Sequence, residues 1–236
     1  METDAGLVAY FPLDGNAIDF SGNDNNGTVR GATLASDRFG DTNSSYDFDG
    51  NDDDIAIGDN GFPMGSSART VSGWGKLDAN ATGDNTLLFY GKQAEGKGFW
   101  LGVDNNGYLQ ASGYGDTNAS MAFDANGTNL RDGAWHHIAV TSPTGATSSD
   151  VKIYVDGALV ASGSGSTAIN TSATSDVNIG TWASTYFNGQ IDDVRFYAAE
   201  LNATMVAKVY GSSFGDFNRI FIKSAGTATI TATQPG

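Results

Sequence analysis

Hydrophobic residues recur along most of the chain in short runs that have the length of strands. Residues 7–13, 70–77, 98–103 and 135–141 are runs of this kind, and residues 70–77 alternate with a repeat of two, which is the spacing of a strand with one buried face. Gly, Asn, Asp, Ser and Thr separate the runs, which is typical of tight turns. An Asp-Gly pair at 156–157, between two such runs, predicts a two-residue hairpin turn. The pattern therefore predicts an all-β protein.

A late stretch, residues 188–197, is the one around which we expect the sheet to close. Strict alternation would place Asp192 and Val194 on one face of a strand, and Asp193 and Arg195 on the other. Two adjacent carboxylates in a strand are costly unless something compensates their charge. A cation, Arg195 or water can each do so, and the sequence leaves these three possibilities open.

One segment near the end has helical spacing instead. Met205, Val206 and Val209 would share one face of a short helix over residues 202–210. Asn202 stands where an N-cap belongs, since its side chain can accept a hydrogen bond from a free backbone amide of the first turn. We therefore expect a single short helix beside the strands.

The chain of 236 residues is long enough for one large β domain, which we expect to span residues 5–213. Beyond it the sequence becomes rich in Thr and alternates strictly, which predicts a trailing β-hairpin over residues 214–236. Two interpretations of this hairpin remain open. It is the edge of a following repeat, or it packs back on the first domain.

Charge narrows the range of partners. The chain has 27 acidic and 12 basic residues, a net charge of −15, so its surface repels phosphates and we expect no nucleic-acid binding. It has no cysteine, which excludes disulfides and thiol chemistry. No apolar run reaches the roughly 18 residues of a membrane-spanning helix, so we expect no direct membrane insertion. Nearly all acids are Asp, which suits turns and calcium loops, although a solubilising surface explains most of them equally well.

Two acidic segments are candidates for binding a cation. Calcium takes roughly six to eight oxygen ligands, and residues 19–27 offer many of them in a loop that Gly can bend. Residues 47–54 are also rich in Asp. An EF-hand calcium loop that began at Asp47 would need Glu at its twelfth position, where this chain has Gly58. This second segment is therefore not an EF-hand. It is either a cation site of another kind or a solvated turn.

Six short motifs stand in an order that resembles a known family. They are LVAYFPLDG at 7–15, DFSGN at 19–23, FDG at 48–50, WHHIAV at 135–140, YVDG at 154–157 and GQIDDVRFY at 189–197. Together they resemble the bacterial laminin-G-like modules of the concanavalin A-like lectin/glucanase superfamily, relatives of the pentraxins. The resemblance implies a jelly-roll sandwich of two curved antiparallel sheets. It also implies a secreted or cell-surface setting within a large multidomain protein.

A separate, shorter resemblance concerns the end of the chain, and the laminin-G-like resemblance also implies a metal site. Residues 224–236 are similar to strands of bacterial immunoglobulin-like repeats. The family implies that the loop at 19–27 lies near the strand at 189–197, so we expect a Ca²⁺ site between them. The expected ligands are Asp19, Asn23, Asn26 and Asp192, with backbone carbonyls near Gly27 and Asp193 as further candidates.

Catalysis is not expected. Glucanases of this superfamily have a Glu-x-Asp-x-x-Glu strand, whose two Glu act as nucleophile and acid. Here Glu95 and Glu200 lie far apart and neither stands in that motif. His136 and His137 are adjacent on a predicted strand, so they point to opposite faces and cannot jointly bind one ion.

Sugar binding needs an exposed aromatic ring with polar neighbours, on which the sugar stacks. For any single aromatic residue, packing in the fold is the more common role. The best-placed candidates are Trp182 and Tyr186, followed by Trp100 and Tyr114.

The leading hypothesis is a non-catalytic, Ca²⁺-dependent carbohydrate-binding or adhesion module of a large extracellular bacterial protein. Its expected partners are a glycan or surface glycoprotein and the neighbouring domains of the same chain. Two alternatives stay open: a calcium-stiffened spacer of an adhesin, and a glycoside hydrolase of the same fold.

Overall fold

The computed structural model describes residues 5–212, apart from residues 93, 95, 113–121, 124–126, 128 and 174–176. The predicted hairpin over 214–236 and the candidate Tyr114 therefore lie outside the described residues. None of the helices in the described part of the chain is both long and apolar enough to cross a membrane.

Seventeen strands and one α-helix make up the described fold. In chain order they are β1 (Leu7–Phe11), β2 (Thr28–Arg30), β3 (Thr33–Ala35), β4 (Ser45–Asp49), β5 (Asp54–Ile57), β6 (Arg69–Leu77), β7 (Asn85–Gly91), β8 (Gly98–Val103), β9 (Leu109–Ser112), β10 (Ala122–Phe123), β11 (His136–Ser142), β12 (Lys152–Val155), β13 (Ala158–Ser162), β14 (Val177–Ile179), β15 (Thr181–Trp182), β16 (Thr185–Tyr186), β17 (Asn188–Tyr197) and α1 (Ala203–Gly211).

Two antiparallel sheets form a sandwich, as the prediction of a jelly roll requires. Sheet A has the order β13-β12-β11-β6-β17-β4-β3, and β1 also pairs with β17. Sheet B has the order β10-β9-β8-β7-β14-β5-β2. The all-β prediction is confirmed, and so is the Asp-Gly turn, since Asp156 and Gly157 have φ of 49° and 78° between the paired strands β12 and β13.

The core lies between the sheets, where every second residue of the central strands points inward. Phe11 and Ile191 of sheet A, together with Ile55 and Leu101 of sheet B, are completely buried there. Burying apolar surface of this kind contributes about 25 cal/mol per Å². Burial of these residues therefore holds the two sheets together.

The outer face of sheet A is only partly covered by the helix. Val206 and Val209 of α1 pack on Tyr154 and Tyr197 of that face. The side chain of Asn202 accepts a hydrogen bond from the amide of Met205 (3.0 Å), which confirms the predicted N-cap. The remainder of this outer face is polar and carries the candidate site.

Strict alternation along β17 is wrong. The register of β17 against β6 shifts between Asp192 and Arg195, and Asp193 has a positive φ of 54°. This β-bulge inserts an extra residue, so Val194 joins the core while Asp192 and Asp193 both turn away from it. The two acids therefore share the outer face of sheet A, where the alternating pattern would have separated them.

Gly189 lets β17 fit between its neighbours. It pairs with Leu77 of β6 and with Phe48 of β4, at a φ of 144°. A Cβ atom there would overlap the carbonyl oxygen of Lys76. Gly189→Ala should therefore lower the free energy of unfolding by roughly 2–3 kcal/mol through backbone strain, as measured by urea unfolding.

The matched control is Gly58→Ala. A Cβ atom added to Gly58 has nothing within 4 Å, so this change should leave stability within about 0.5 kcal/mol of the parent or raise it slightly. Equal stability of the two variants would contradict the assigned role of Gly189.

Candidate functional site

The site begins with a row of residues across sheet A. Trp74 of β6 lies opposite His137 of β11 on one side and opposite Asp192 of β17 on the other. The bulge adds Asp193 to the end of this row. Tryptophan, histidine and two carboxylates thus come together on one face from three strands that are distant in sequence.

The loop that connects β3 to β4 lies beside Asp192 and Asp193, at the end of this row. One carboxylate oxygen of Asp37, Oδ1, accepts hydrogen bonds from the amides of Phe39 (2.9 Å) and Asp41 (2.8 Å), and the amide of Gly40 donates to the Asp37 carbonyl. These bonds fold residues 37–41 into a tight turn. The turn directs Arg38 towards β17.

Arg38 pairs with both acids of the bulge. Its Nη1 lies 2.6 Å from Oδ2 of Asp192, and its Nη2 lies 2.7 Å from Oδ2 of Asp193. All three side chains are less than 10% exposed. Buried ions of opposite charge stabilise a fold only with good geometry and further hydrogen bonds, and this pairing has both.

The further bonds come from Tyr10 of β1 and Arg195 of β17. Asp193 Oδ1 accepts a hydrogen bond from the hydroxyl of Tyr10 (2.7 Å) and pairs with Nη2 of Arg195 (3.3 Å). The Arg195 guanidinium also lies 4.2 Å from the Tyr10 ring centroid. Two guanidiniums and two carboxylates therefore alternate, and we call Arg38, Asp192, Asp193 and Arg195 the ion network.

Burial changes the protonation of this network. Burial, and then the charge of Asp193, raise the pKa of Asp192 well above its usual range, although Arg38 opposes the shift. Burial also raises the pKa of Tyr10, so the phenol stays a hydrogen-bond donor. Burial alone would lower the pKa of Arg195, but the charge of Asp193 more than offsets it and raises that pKa.

A cleft of about 310 Å³ opens above the network. Five carboxylates line it, and Arg38 and Phe39 form part of its wall. The Arg38 guanidinium lies 4.5 Å from the ring centroids of both Phe39 and Trp74, while Phe39 itself is 64% exposed. An exposed ring thus stands beside fixed charged groups. The lining acids are Asp14, Asp37, Asp41, Asp192 and Asp193.

The loop predicted to bind calcium has another set of partners. Asp19 is buried, and its two oxygens accept hydrogen bonds from the amides of Tyr10, Ser21 and Asn25 and from the Ser21 hydroxyl, at 2.8–3.0 Å. Asn26 accepts a hydrogen bond from the Asp19 amide. These bonds satisfy Asp19 without a cation.

Two other predicted ligands make hydrogen bonds to backbone carbonyls of neighbouring segments. Asn23 donates to the carbonyl of Val8 in β1 (3.0 Å), and the Gly27 amide donates to the carbonyl of Ala17. Tyr10 connects the two halves of the predicted site, since its amide binds Asp19 and its hydroxyl binds Asp193. In the part of the chain that the structure describes, no hydrogen bond or ion pair joins Asp19 to Asp192 or Asp193. The predicted calcium ligand set stays a prediction.

The second acidic segment forms a compact cluster, which we call the acidic turn. Oxygen atoms of Asp49, Asp52 and Asp53 lie within 4.8 Å of one another. Gly50, at φ 80°, permits the turn, and the Asp53 carboxylate accepts a hydrogen bond from the Asp49 amide (2.8 Å). Burial raises the pKa of Asp53. Both interpretations of this segment, cation site and solvated turn, remain open.

The predicted sugar-binding aromatics lie elsewhere, on the outer face of sheet B. Trp100 is only 6% exposed, and its indole donates to a threonine hydroxyl (2.8 Å). Trp182 is half-buried against Phe89 and Trp100, with ring centroids 5.3 and 6.4 Å apart. Tyr186 is half-buried on the same hairpin. These contacts give the rings a packing role, and their prediction as ligand contacts stays untested.

The two adjacent histidines differ in surroundings. Burial alone would lower the pKa of His136, but its ring nitrogens lie 2.9 Å from Asp156 and 3.2 Å from Asp132, and these carboxylates raise it. His137 is completely buried beside Trp74, and burial lowers its pKa to about 3. The two imidazoles therefore meet different partners, as expected for opposite faces of a strand.

Sequence reasoning missed Arg38 and Phe39. They belong to a short polar loop without periodicity, and the acids that Arg38 contacts follow more than 150 residues later. The one available signal was local: Arg38 is one of only 12 basic residues in the chain and stands next to an aromatic residue.

The fold defines the class of a β-sandwich built from two antiparallel sheets. The chain belongs to the concanavalin A-like lectin/glucanases superfamily, because the family model Laminin_G_3 matches residues 49–207. The laminin-G-like resemblance is thereby confirmed, while the immunoglobulin-like repeat after it stays a prediction. A search of curated proteins found no match.

Solved structures of the same fold include three proteins that bind carbohydrates or gangliosides. Domain 4 of AbnA, a GH43 extracellular arabinanase from Geobacillus stearothermophilus, in complex with arabinotriose, is 22% identical, with a TM-score of 0.66 over 87% of this chain and 98% of that one. Botulinum neurotoxin type C, whose cell entry depends on two ganglioside molecules, is 13% identical, with a TM-score of 0.62 over 89% and 52%. A Trypanosoma rangeli sialidase with 2,3-difluorosialic acid is 18% identical, with a TM-score of 0.61 over 87% and 32%.

The ion network predicts a strong effect of Arg38→Met. The change leaves two buried carboxylates with Arg195 alone, so the free energy of unfolding should fall by about 3 kcal/mol. In the folded parent the pKa of Asp192 is raised to about 8, and without Arg38 it rises further, so the folded variant keeps this proton to a higher pH than the parent. The loss measured by urea unfolding should therefore be larger at pH 9 than at pH 6.

Lys152→Met is the matched control. Lys152 pairs with Glu200 at 3.0 Å, but these side chains are 42% and 30% exposed, so its loss should cost at most about 1 kcal/mol. Similar losses in the two variants would show that the buried network contributes no more than a surface pair.

Proposed function

We propose that this domain is a non-catalytic carbohydrate-binding module and that the glycan binds in the cleft above the ion network. The observation that carries the proposal is the exposed Phe39 ring beside charged groups held rigidly in a cavity of about 310 Å³. Proteins of the same fold support it, since they interact with arabinotriose, gangliosides and a sialic acid derivative.

Binding would combine stacking with hydrogen bonds. A sugar ring has apolar C–H faces that pack on an aromatic ring such as Phe39, and its hydroxyls donate to carboxylates and accept from guanidinium groups. Because Arg38 is held by Asp192 and Asp193 on one side and by Trp74 on the other, little conformational freedom is lost on binding. Such preorganisation raises affinity.

We propose a binding role rather than hydrolysis because of how the acids are used. A retaining glycosidase needs one carboxylate free to attack and another free to donate a proton, about 5 Å apart. Asp193 binds Arg38, Tyr10 and Arg195, so it is not free to attack, although the raised pKa of Asp192 would suit a proton donor. The oxygen atoms of both groups can still accept hydrogen bonds from sugar hydroxyls, because a carboxylate oxygen accepts more than one.

The setting we propose is extracellular or at a cell surface, as one module of a larger protein. The partner there would be a glycan or surface glycoprotein, with neighbouring domains of the same chain on either side. The net charge of −15 is compatible with such a surface and repels nucleic acid.

We further propose that Ca²⁺ supports the module from the acidic turn. Asp49, Asp52 and Asp53 supply hard oxygen donors within 4.8 Å of one another, which fits the ligands that calcium prefers. When bound, the cation would neutralise these carboxylates and stiffen the connection between β4 and β5. The residues themselves hold the turn by the hydrogen bond from the Asp49 amide to Asp53.

The glycan proposal predicts that Phe39→Ala weakens binding. Loss of the stacking face should reduce affinity roughly three- to tenfold, as measured by titration calorimetry with arabinotriose and with the best ligand from a glycan array. Leu159→Ala is the control, because Leu159 is 52% exposed on β13, at the far edge of sheet A. It should leave affinity unchanged.

An array on which the parent domain binds no glycan would overturn the proposal and leave a structural spacer as the function. Binding that is equally sensitive to both substitutions would place the glycan outside the cleft. The thermal midpoint of each variant shows whether the fold is intact.

The calcium proposal predicts a higher thermal midpoint in Ca²⁺ than in chelator. A ligand at a hundredfold excess over Kd stabilises the folded state by about 2.7 kcal/mol. Asp52→Asn should abolish the shift, whereas Asp84→Asn, which removes one exposed charge elsewhere, should preserve it. A shift that Asp19→Asn removes and Asp52→Asn retains would place the cation in the loop at 19–27 instead.

A further inference from the structure

We propose that the outer face of sheet A carries a second sugar subsite, in which an uncharged sugar ring takes the place of Tyr210 on Trp74 and its hydroxyls bind His137. The inference rests on the proposed function and extends it from one sugar unit to a chain of several. It is carried by buried polar atoms that have no hydrogen-bond partner among the described residues, and by the aromatic ring that covers them.

The buried polar atoms belong to neighbouring side chains of β6 and β11. His137 lies opposite Trp74 and is completely buried. In the part of the chain that the structure describes, neither ring nitrogen of His137 has a hydrogen-bond partner, and the same holds for Nε1 of Trp74 and for the hydroxyl of Ser72. A buried polar group without a partner is unfavourable. A ligand that reaches these atoms would therefore gain hydrogen bonds that the fold does not supply.

Tyr210 covers these atoms. Its ring stacks on Trp74 at a centroid distance of 5.6 Å and an interplanar angle of 27°, and its centroid lies 5.7 Å from that of His137. The ring also packs against the turn between β12 and β13, because a Cβ atom added to Gly157 would lie 2.9 Å from it. The phenol thus occupies the place in which a sugar ring would stack on the indole.

Tyr210 can leave this place while helix α1 stays on the sheet. Its side chain is 37% exposed and stands in the last turn of α1. Val206 and Val209, by contrast, hold the helix through the apolar cluster that they form with Tyr154 and Tyr197. Exposed side chains change rotamer within nanoseconds. Rotation of one ring therefore opens the subsite without unfolding the helix.

The uncovered atoms match hydroxyl groups. Burial lowers the pKa of His137 to about 3, so its imidazole is neutral and offers one donor and one acceptor. The Trp74 indole adds a donor, and the Ser72 hydroxyl both donates and accepts. A sugar hydroxyl also donates and accepts, whereas an ammonium group only donates and a carboxylate only accepts. The set of atoms is therefore suited to an uncharged sugar.

One oligosaccharide can reach both the cleft and the second subsite. The Arg38 guanidinium lies 4.5 Å from the ring centroids of Phe39 and of Trp74, and Trp74 in turn contacts Tyr210. These four side chains form a row in which each member contacts the next. A linear sugar whose first ring stacks on Phe39 can therefore place a later ring on Trp74, while a monosaccharide fills the cleft alone.

Titration calorimetry with neutral sugars of two lengths tests the inference. The probes are arabinotriose, cellotriose and triacetylchitotriose, each compared with its monosaccharide. In the parent a trimer must displace Tyr210 from Trp74, so Tyr210→Ala should raise the ratio of trimer affinity to monomer affinity roughly three- to tenfold. Tyr210→Phe keeps the ring and should restore the ratio of the parent. Val160→Ala shortens an equally exposed side chain of β13 and should leave the ratio unchanged.

His137→Phe tests the polar atoms. In the Tyr210→Ala background this change keeps a ring but removes both nitrogens, so most of the gain in the ratio should be lost. Made alone, it should not lower the thermal midpoint, because it removes two unpartnered polar atoms from the interior. A midpoint several degrees lower would show that the imidazole is bound within the fold, and would overturn the second subsite.

The outcomes separate the inference from the proposed function. A ratio that Tyr210→Ala leaves unchanged or lowers would overturn the second subsite. Carbohydrate binding in the cleft would still stand as long as Phe39→Ala weakens the binding of the monosaccharide. Failure of all the sugars to bind to the parent and to the variants would overturn both.

Discussion

The contact of Arg38 with Asp192 and Asp193 is the interaction on which the outer face of sheet A depends. Two adjacent carboxylates cannot be buried without a positive partner, and the bulge in β17 puts both on the same face. The guanidinium of Arg38, from a loop distant in sequence, supplies that positive charge. The same contact places that loop against the sheet, and with it the Phe39 ring and the wall of the cleft.

Much of the fold was accessible from the sequence because it is specified locally. The repeat of two identifies strands, the Asp-Gly pair specifies a tight turn, and Asn202 caps its helix through an amide three residues away. The bulge was not accessible in this way. A positive φ at Asp193 is compensated by partners in other strands and loops, which alternation does not encode.

The candidate site was less predictable, because the sequence shows which side chains carry oxygen atoms but not which groups those atoms contact in the fold. Asp19 accepts hydrogen bonds from amides and a hydroxyl that the path of the chain brings to it, and its role as a calcium ligand stays a prediction. Tyr10 connects Asp193 to that loop, but the pairing of both acids with Arg38 was not predicted. The acidic turn around Asp53 was recognisable because its members are neighbours in sequence.

The position of β17 has a consequence for how the chain folds. This strand is the last of sheet A to be synthesised, yet it lies between β6 on one side and β4 with β1 on the other. Its partners cannot join into one sheet until residues 188–197 have left the ribosome. The pairing of β17 then closes the long connections to β1, β4 and β6 in one step. Such non-local pairing makes folding slow, and until it occurs the unpaired strand edges can associate with wrong partners.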